Sequence, residues 1–597
     1  GYIYGKIVLQ DVESGKVLRT LGGYTGNVEA LAFSPDGRVI VGGDIAGGIK
    51  SWDASTGKDL SLFNEHSSSV TSIAFSADGR LWASASRDGQ IIIRDGVNNS
   101  EVVRWIMVGD NDYVIVTPDG YYFSTRAGAP DALAFRYQGR AFPFEQFDLK
   151  FNRPDLALKR LGKASPELIE TYYKAYQKRL RLGGFKEAEL STDLHVPEVS
   201  VLTPNLPVAT KQRTLALKIR ASDALVPLLR FNVYINETPL YGARGLDLSG
   251  AQNGHALERD VSLELTEGVN KVQVAVMNEK GGEGTATLRI KYDGPVPRPH
   301  LYVLAVGVSK YKDERYNLTY AAKDAADLVR LLEERARERE QKMVIGGINP
   351  PHMEDREKSF YEVHALKLLD GDAVRENIVK AREFLRQAGP DDQVIVFFAG
   401  HGLLDDKLDY YFGTSDIDFS NPSVRGLSYE ELEGLLDNVQ AHRKLLLVDT
   451  CHSGEVDKGE LQAAASGETK QQAAVPVKSR AFPRAKVVGT NQSVGLSNSY
   501  TLLEELFSDL RRGSGASVIA ASGGLEFAYE DGSWNNGVFT YSVLNGLKSG
   551  LADFNRNGEV SVSELRDYVT GTVRRLTEGR QTPTARRESP ENDFRVF

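Results

Sequence analysis

The chain has 597 residues, with 72 Lys and Arg against 81 Asp and Glu, a formal net charge of -9, 26% charged and 41% hydrophobic residues. That is ordinary globular composition, enough for about four domains at roughly 150 residues each, and its acidic balance disfavours nucleic acid or an anionic membrane surface as partner. No apolar run approaches the about 18 residues of a membrane-spanning helix, and a single cysteine, Cys451, excludes an intrachain disulfide or a multi-thiolate metal site.

The start, Gly-Tyr-Ile-Tyr-Gly, lacks a methionine and reads as a fragment or a processed product. Missing disulfides fit a reducing compartment and favour a cytoplasmic location. Residues 1–149 repeat themselves. Phe33-Ser34-Pro35-Asp36-Gly37-Arg38 returns 42 residues later as Phe75-Ser76-Ala77-Asp78-Gly79-Arg80, and Thr117-Pro118-Asp119-Gly120 follows. Asp11, Trp52-Asp53 and Arg94-Asp95 keep the same step. Short alternating strands with Asp-Gly turns lie between these marks. This period, with Trp-Asp at a strand end, resembles WD-repeat β-propeller blades; an unrelated β-sandwich is the alternative. About three blades fit, the last degenerate, and since closure needs at least about four, the set is expected to be incomplete. The resemblance implies a module that binds a protein partner.

Residues 150–195 predict a helical linker. Ser165-Pro166 suit N-cap and N1, Leu168, Tyr172, Tyr176 and Leu180 recur every four residues, and Gly183-Gly184 stop the helix. The tyrosine stripe is read as core rather than as a ligand site. Residues 196–294 carry period-two strands typical of an immunoglobulin-like or fibronectin-like β-sandwich. A Pro-rich linker, Pro295 to Pro299, follows.

From residue 299 to 597 strands alternate with helices. Leu301 to Val308, Gln393 to Phe398, Lys444 to Val448 and Ala516 to Ala521 are continuous apolar strands; Ala321 to Leu332, Ala373 to Gln387 and Ser428 to Asn438 are helical. Such strands imply a mostly parallel sheet covered on both faces, with reactive groups beyond the strands' carboxyl ends. Two strand ends carry chemistry. One delivers Ala399-Gly400-His401-Gly402 and the other Asp449-Thr450-Cys451-His452-Ser453-Gly454. A thiol of ordinary pKa is a poor nucleophile at neutral pH, so an imidazole must take or balance its proton, and the same imidazole can protonate a leaving amine. His452 adjoins the thiol in sequence but points to the other side of a strand, which makes it the weaker partner. Glycines around His401 let a substrate backbone approach and suit the Gly402 amide to a carbonyl oxygen.

His401 precedes Cys451 by 50 residues, and Asp-Thr-Cys-His-Ser-Gly resembles the D-x-C-H-S-G of metacaspases and bacterial caspase homologues, not the caspase Q-A-C-x-G. The resemblance covers roughly Pro299 onward. It implies a caspase-like cysteine endopeptidase acting on protein or peptide substrates. By it, Cys451 is the nucleophile, His401 the general acid/base, and the amides of Gly402 and Cys451 the oxyanion donors. It places Asp449, and Asp324 in Leu318-Thr319-Tyr320-Ala321-Ala322-Lys323-Asp324, in an acidic S1 pocket with Ser522 on its wall. The metacaspase L-x-G-C-x-N-D keeps here only its leucine and final aspartate. Two carboxylates imply cleavage after Arg or Lys rather than Asp. Alternatively Asp449 caps a helix and Asp324 sits in a helix first turn, where the dipole favours acids. A non-catalytic scaffold with a caspase-like fold is the competing function.

Residues 455–499 are polar and lack hydrophobic periodicity, which predicts a mobile insertion. Lys458, Lys470, Lys478, Arg480, Arg484 and Lys486 are candidate self-cleavage sites in it, an uncut surface loop being the alternative. Asp553, Asn555, Asn557, Glu559 and Glu564 fit an EF-hand-type loop at positions 1, 3, 5, 7 and 12, with Gly558 at 6. The only cofactor expected is calcium at this loop, held with modest affinity; a turn before a helix is the alternative. None is required for the thiol chemistry.

Overall fold

The turns of the N-terminal repeat show why its period is visible. Asp36 accepts the Ser34 hydroxyl at 2.6 Å and the Arg38 amide at 3.1 Å, and Asp78 makes the same pair with Ser76 and Arg80. A short acidic side chain thus closes each hairpin on its own backbone. In this computed structural model the described residues are 6–24, 26–108, 112–124, 134–137, 140–143, 147–190, 195–250, 254–345, 362–405, 409–452, 478–479, 514–521, 529–585 and 593–596. The chain divides into two units, Gly1–Tyr176 and Gln177–Phe597.

In the first unit Val28–Phe33, Val39–Asp44, Gly48–Asp53 and Asp59–Asn64 form a four-stranded antiparallel sheet. Val70–Phe75, Leu81–Ser86, Gln90–Asp95 and Glu101–Val108 repeat it. Trp52 and Trp82 are buried. The expected third blade is not a separate sheet. Asp112–Val116 and Tyr122–Ser124 add to Glu101–Val108, giving six strands. Their apolar face, with Ile115 and Phe123, packs on Ala157, Leu168 and Tyr172 of the helices Pro154–Leu161 and Pro166–Gly183. Ser165 Oγ accepts the Leu168 amide at 3.2 Å, and Leu168, Tyr172, Tyr176 and Leu180 are all buried.

The second unit begins with two sheets over one apolar core that includes Leu217, Ile219, Phe231, Val233, Val261, Leu263, Val274 and Val276. One sheet joins Glu198–Val201, Thr214–Ser222 and Ala256–Glu264; the other is built mainly on Leu228–Ile235, Gly268–Asn278 and Glu283–Tyr292.

The following sheet has five parallel strands: β1 (Leu301–Gly307), β2 (Val363–Leu369), β3 (Gln393–Leu404), β4 (Arg443–His452) and β5 (Ser517–Ala520), in spatial order β2-β1-β3-β4-β5. Edge strand β2 had no sequence signal, because Val363-His364-Ala365-Leu366-Lys367 mixes polar and apolar residues where one face is only half covered. Thr584–Ala585 adds antiparallel to β5. Alternation sends Tyr302, Leu304 and Val306 into the core on one face and Leu301, Val303 and Ala305 into that on the other. Helix α1 (Ala321–Ile345) covers the second face through Ala321, Ala325, Leu328 and Leu332. Its first turn lies directly on the end of β1: a Cβ on Gly307 would meet the Ala321 carbonyl oxygen at 2.5 Å. That close approach brings Asp324 to the carboxyl rim of the sheet. Helices α2 (Val538–Ser549) and α3 (Val562–Leu576) complete this layer. The predicted helix Ala373 to Gln387 is instead two short ones, Arg375–Lys380 and Arg382–Leu385, joined at Ala381. No helix among the described residues is long and apolar enough to cross a membrane.

Candidate active site

β3 and β4 are parallel neighbours, and their register pairs Ala399 with Asp449, Gly400 with Thr450, His401 with Cys451 and Gly402 with His452. Paired strands run about 4.8 Å apart. The two residues singled out for chemistry therefore leave adjacent backbones at the same level of the rim. The side chains of Cys451 and His452, and all of Ser522, lie outside the described residues.

His401 is buried, at 3% exposure. Its Nε2 lies 2.9 Å from the backbone oxygen of Tyr316. A carbonyl only accepts, so Nε2 carries the proton and Nδ1 is the basic nitrogen of the neutral ring. The backbone amide of His401 donates to the Tyr311 hydroxyl at 3.0 Å, and its carbonyl accepts the Gly413 amide at 2.7 Å. Tyr311 and Phe419 flank the imidazole with ring centroids 5.1 and 5.8 Å away, and Tyr316 stacks on Phe419 at 3.8 Å. Gly400 makes room for this: a Cβ there would stand 3.0 Å from the Tyr311 hydroxyl and 3.1 Å from the Phe412 ring. Gly402 lies in β3 between Phe412 and His452. Thr450, on the other face of β4, meets the Tyr410 hydroxyl at 3.1 Å.

Asp449 and Asp324 are both fully buried, and both reach the start of α2. Asp449 Oδ2 accepts the Thr540 hydroxyl at 2.6 Å. Asp324 Oδ1 accepts the Asn536 side-chain amide at 2.8 Å, and its two oxygens take the Gly537 amide at 3.2 Å each. Two carboxylates thus converge on the amino end of a helix, where the dipole favours them. Asp324 also occupies the first turn of α1. Tyr311, Tyr316, Phe419, Asn536 and Thr540 were not legible as site residues; Tyr316 acts through its backbone, which leaves no side-chain signal.

The calcium candidate is a wound loop between α2 and α3. Asp553 Oδ1 and Oδ2 accept the Asn557 and Gly558 amides at 3.1 and 2.8 Å, and Asn557 Oδ1 accepts the Glu559 amide at 2.9 Å. Glu564 accepts the amides of Asn555 and Ser561 and forms a capping box with Ser561 at the start of α3. The Glu559 carboxylate pairs with Arg595 at 3.1 Å, so Glu559 fits the loop through its backbone carbonyl, the group this position uses. The oxygen set of Asp553, Asn555, Asn557 and Glu564 suits a hard cation. In the insertion 455–499 the described residues are Lys478–Ser479, which pair with Tyr529–Asp531 as a strand; its other candidate cleavage sites lie outside the described residues.

A family model for the caspase domain matches residues 300–595, and one for the WD domain, G-beta repeat, matches 15–53 and 57–95. No curated protein is similar enough to count as a relative. Among solved structures, the one titled "Structure of U3-55K" is similar at 22% identity over 20% of this chain and 45% of that chain, with a TM-score of 0.18. The match spans less than half of that protein's length, and at this TM-score it carries no argument about fold or function. The chain is a multidomain protein in which N-terminal WD repeats are joined to a caspase domain, of cysteine-peptidase-like fold, over residues 300–595.

Proposed function

We propose that residues 300–595 hydrolyse peptide bonds after Arg or Lys, and that the WD repeats bind a protein partner that brings substrate to this domain. The supporting observation is the register of His401 with Cys451 at the carboxyl rim, with the ring held by Tyr316 in the tautomer whose basic nitrogen is Nδ1. In the proposed step His401 takes the thiol proton and the sulfur bonds to the substrate carbonyl carbon. The C–N bond breaks as the imidazolium gives its proton to the leaving amine. Water, deprotonated by the same imidazole, then hydrolyses the thioester and restores the thiol. Amides of Gly402 and Cys451 would receive the oxyanion. The preference for a basic residue draws on the buried charge of Asp449 and Asp324 near the rim.

The test is a set of fluorogenic peptides with Arg, Lys or Asp at P1, with and without calcium, on the intact chain and its Cys451→Ala variant. Turnover of the Arg and Lys peptides by the parent alone is expected. Equal rates in the variant, or no turnover under any condition, would make the domain a scaffold; turnover only after Asp would remove the specificity.

A further inference from the structure

A second constellation lies at the opposite, amino end of the same sheet. β1 and β2 are paired in parallel with Tyr302 opposite His364. Period-two alternation then sets His300 and Tyr302 on one face of the first strand and Glu362 and His364 on the same face of the second. Backbone contacts fix this placement: the Leu301 amide donates to the Glu362 carbonyl at 3.0 Å, and the His300 amide to Asp392 Oδ1 at 2.7 Å. His300 Nδ1 and His364 Nε2 stand 2.9 Å apart, with ring planes within 13°. Glu362 Oε2 lies 3.8 Å from His364 Nε2. Tyr302 backs the second imidazole at a centroid distance of 4.7 Å.

We propose that His300, Glu362 and His364 form a binding site for a divalent transition-metal ion of the zinc type. Among the described residues this is the one group of three whose ligand atoms all fall within 4.8 Å of one another. Donors about 2.0–2.2 Å from a tetrahedral ion are separated by about 3.3 Å. The observed 2.9 and 3.8 Å bracket that value, and the remaining pair, His300 with Glu362, lies within 4.8 Å. Two imidazoles and one carboxylate are the ligand set of borderline ions rather than of calcium or magnesium. The site is open: the Glu362 side chain is 58% exposed and that of His364 29%, which leaves a path for the ion and a fourth position for water. A strand of seven residues separates it from the rim, roughly 23 Å at the rise of a strand. The ion is therefore distinct from the thiol chemistry. It would tie edge strand β2 to β1 where only one side of β2 is paired.

The experiment uses the full-length Cys451→Ala chain, which removes the thiolate as a competing ligand. After stripping with chelator, cobalt(II) is titrated and its visible d–d absorption recorded, then displaced with zinc. One equivalent per chain is expected, with a melting temperature raised by zinc. His364→Asn should abolish the bands and the shift, and Glu362→Gln, at an exposed position that cannot upset folding, should weaken binding at least tenfold. Binding unchanged by Glu362→Gln, or by His364→Asn in a variant whose metal-free melting matches its parent, would overturn the site. So would the absence of bound cobalt in the parent.

Discussion

Tyr311 holds His401 from two sides at once: its hydroxyl accepts the His401 backbone amide at 3.0 Å, and its ring lies 5.1 Å from the imidazole. Tyr311→Phe keeps the ring and strands a buried amide, a cost of about 1–3 kcal/mol. The melting temperature should fall, and kcat/KM on an Arg peptide should fall about tenfold, with most of the change in kcat, if the displaced imidazole is the proton carrier proposed above. An unchanged kcat alongside a lowered melting temperature would reduce Tyr311 to a packing residue.

Asp449 and Asp324 serve the start of α2 whatever else they do. Asp449→Asn retains an acceptor for Thr540 and removes the charge. Its stability should change by about 1 kcal/mol or less, while turnover of Arg and Lys peptides should drop at least tenfold. Asp324→Ala leaves the Asn536 side chain and the Gly537 amide without this acceptor in a buried place. Unfolding by urea should show a loss of about 2–4 kcal/mol for two such bonds. Comparing the two variants separates charge felt by substrate from anchoring of the helix.

The sequence carried the strand ends because continuous apolar runs and a Gly-bracketed histidine are local signals. It carried the repeat because the same Ser-x-Asp-Gly turn is written twice. What it could not carry is long-range. Asn536 and Thr540 lie far along the chain from Asp324 and Asp449, and only packing of α2 across the sheet brings them together. The third repeat failed for a related reason. Turn residues near Asp119 mark a hairpin, but whether its strands start a new sheet or extend an old one is decided by pairing with Glu101–Val108. Edge strand β2, half exposed, has neither a clean period nor a continuous apolar run.

The candidate calcium loop is already closed by its own amides on Asp553, Asn557 and Glu564. An ion would take lone pairs from groups that are in place, so binding should add stability without ordering new chain. Millimolar calcium should raise the melting temperature of the parent by a few degrees and leave Asp553→Ala unmoved. Magnesium, which demands tighter octahedral geometry, should do less. No calcium shift in the parent would leave these residues as a turn before α3.

The amino end of β4 should make the fold sensitive to acid. His442 is buried beside Lys444, Arg443 and Arg213, and burial first, then those cations, push its pKa from 6.5 down to about 3. Folded His442 stays neutral while the unfolded chain takes up a proton below about 6.5. The unfolded state therefore binds more protons between pH 6.5 and 3, and stability falls as pH falls through that window. Lys444, buried with its Nζ donating to the Val439 carbonyl at 2.9 Å, is pushed from 10.5 down to about 7 by burial. It makes stability rise with pH between 7 and 10.5 and adds no slope below 7. Asp391, whose carboxyl is raised by burial despite its pairing with Arg213, works in the opposite sense as pH rises above its unfolded value. Subtracting variants isolates each group. Urea midpoints of the parent should decline from pH 6.5 to 4 more steeply than those of His442→Asn, and rise from pH 7 to 9 more steeply than those of Lys444→Met. Parallel curves for parent and variant in either window would mean that the group titrates alike in the folded and unfolded chain, and that its burial at the foot of β4 is open to water.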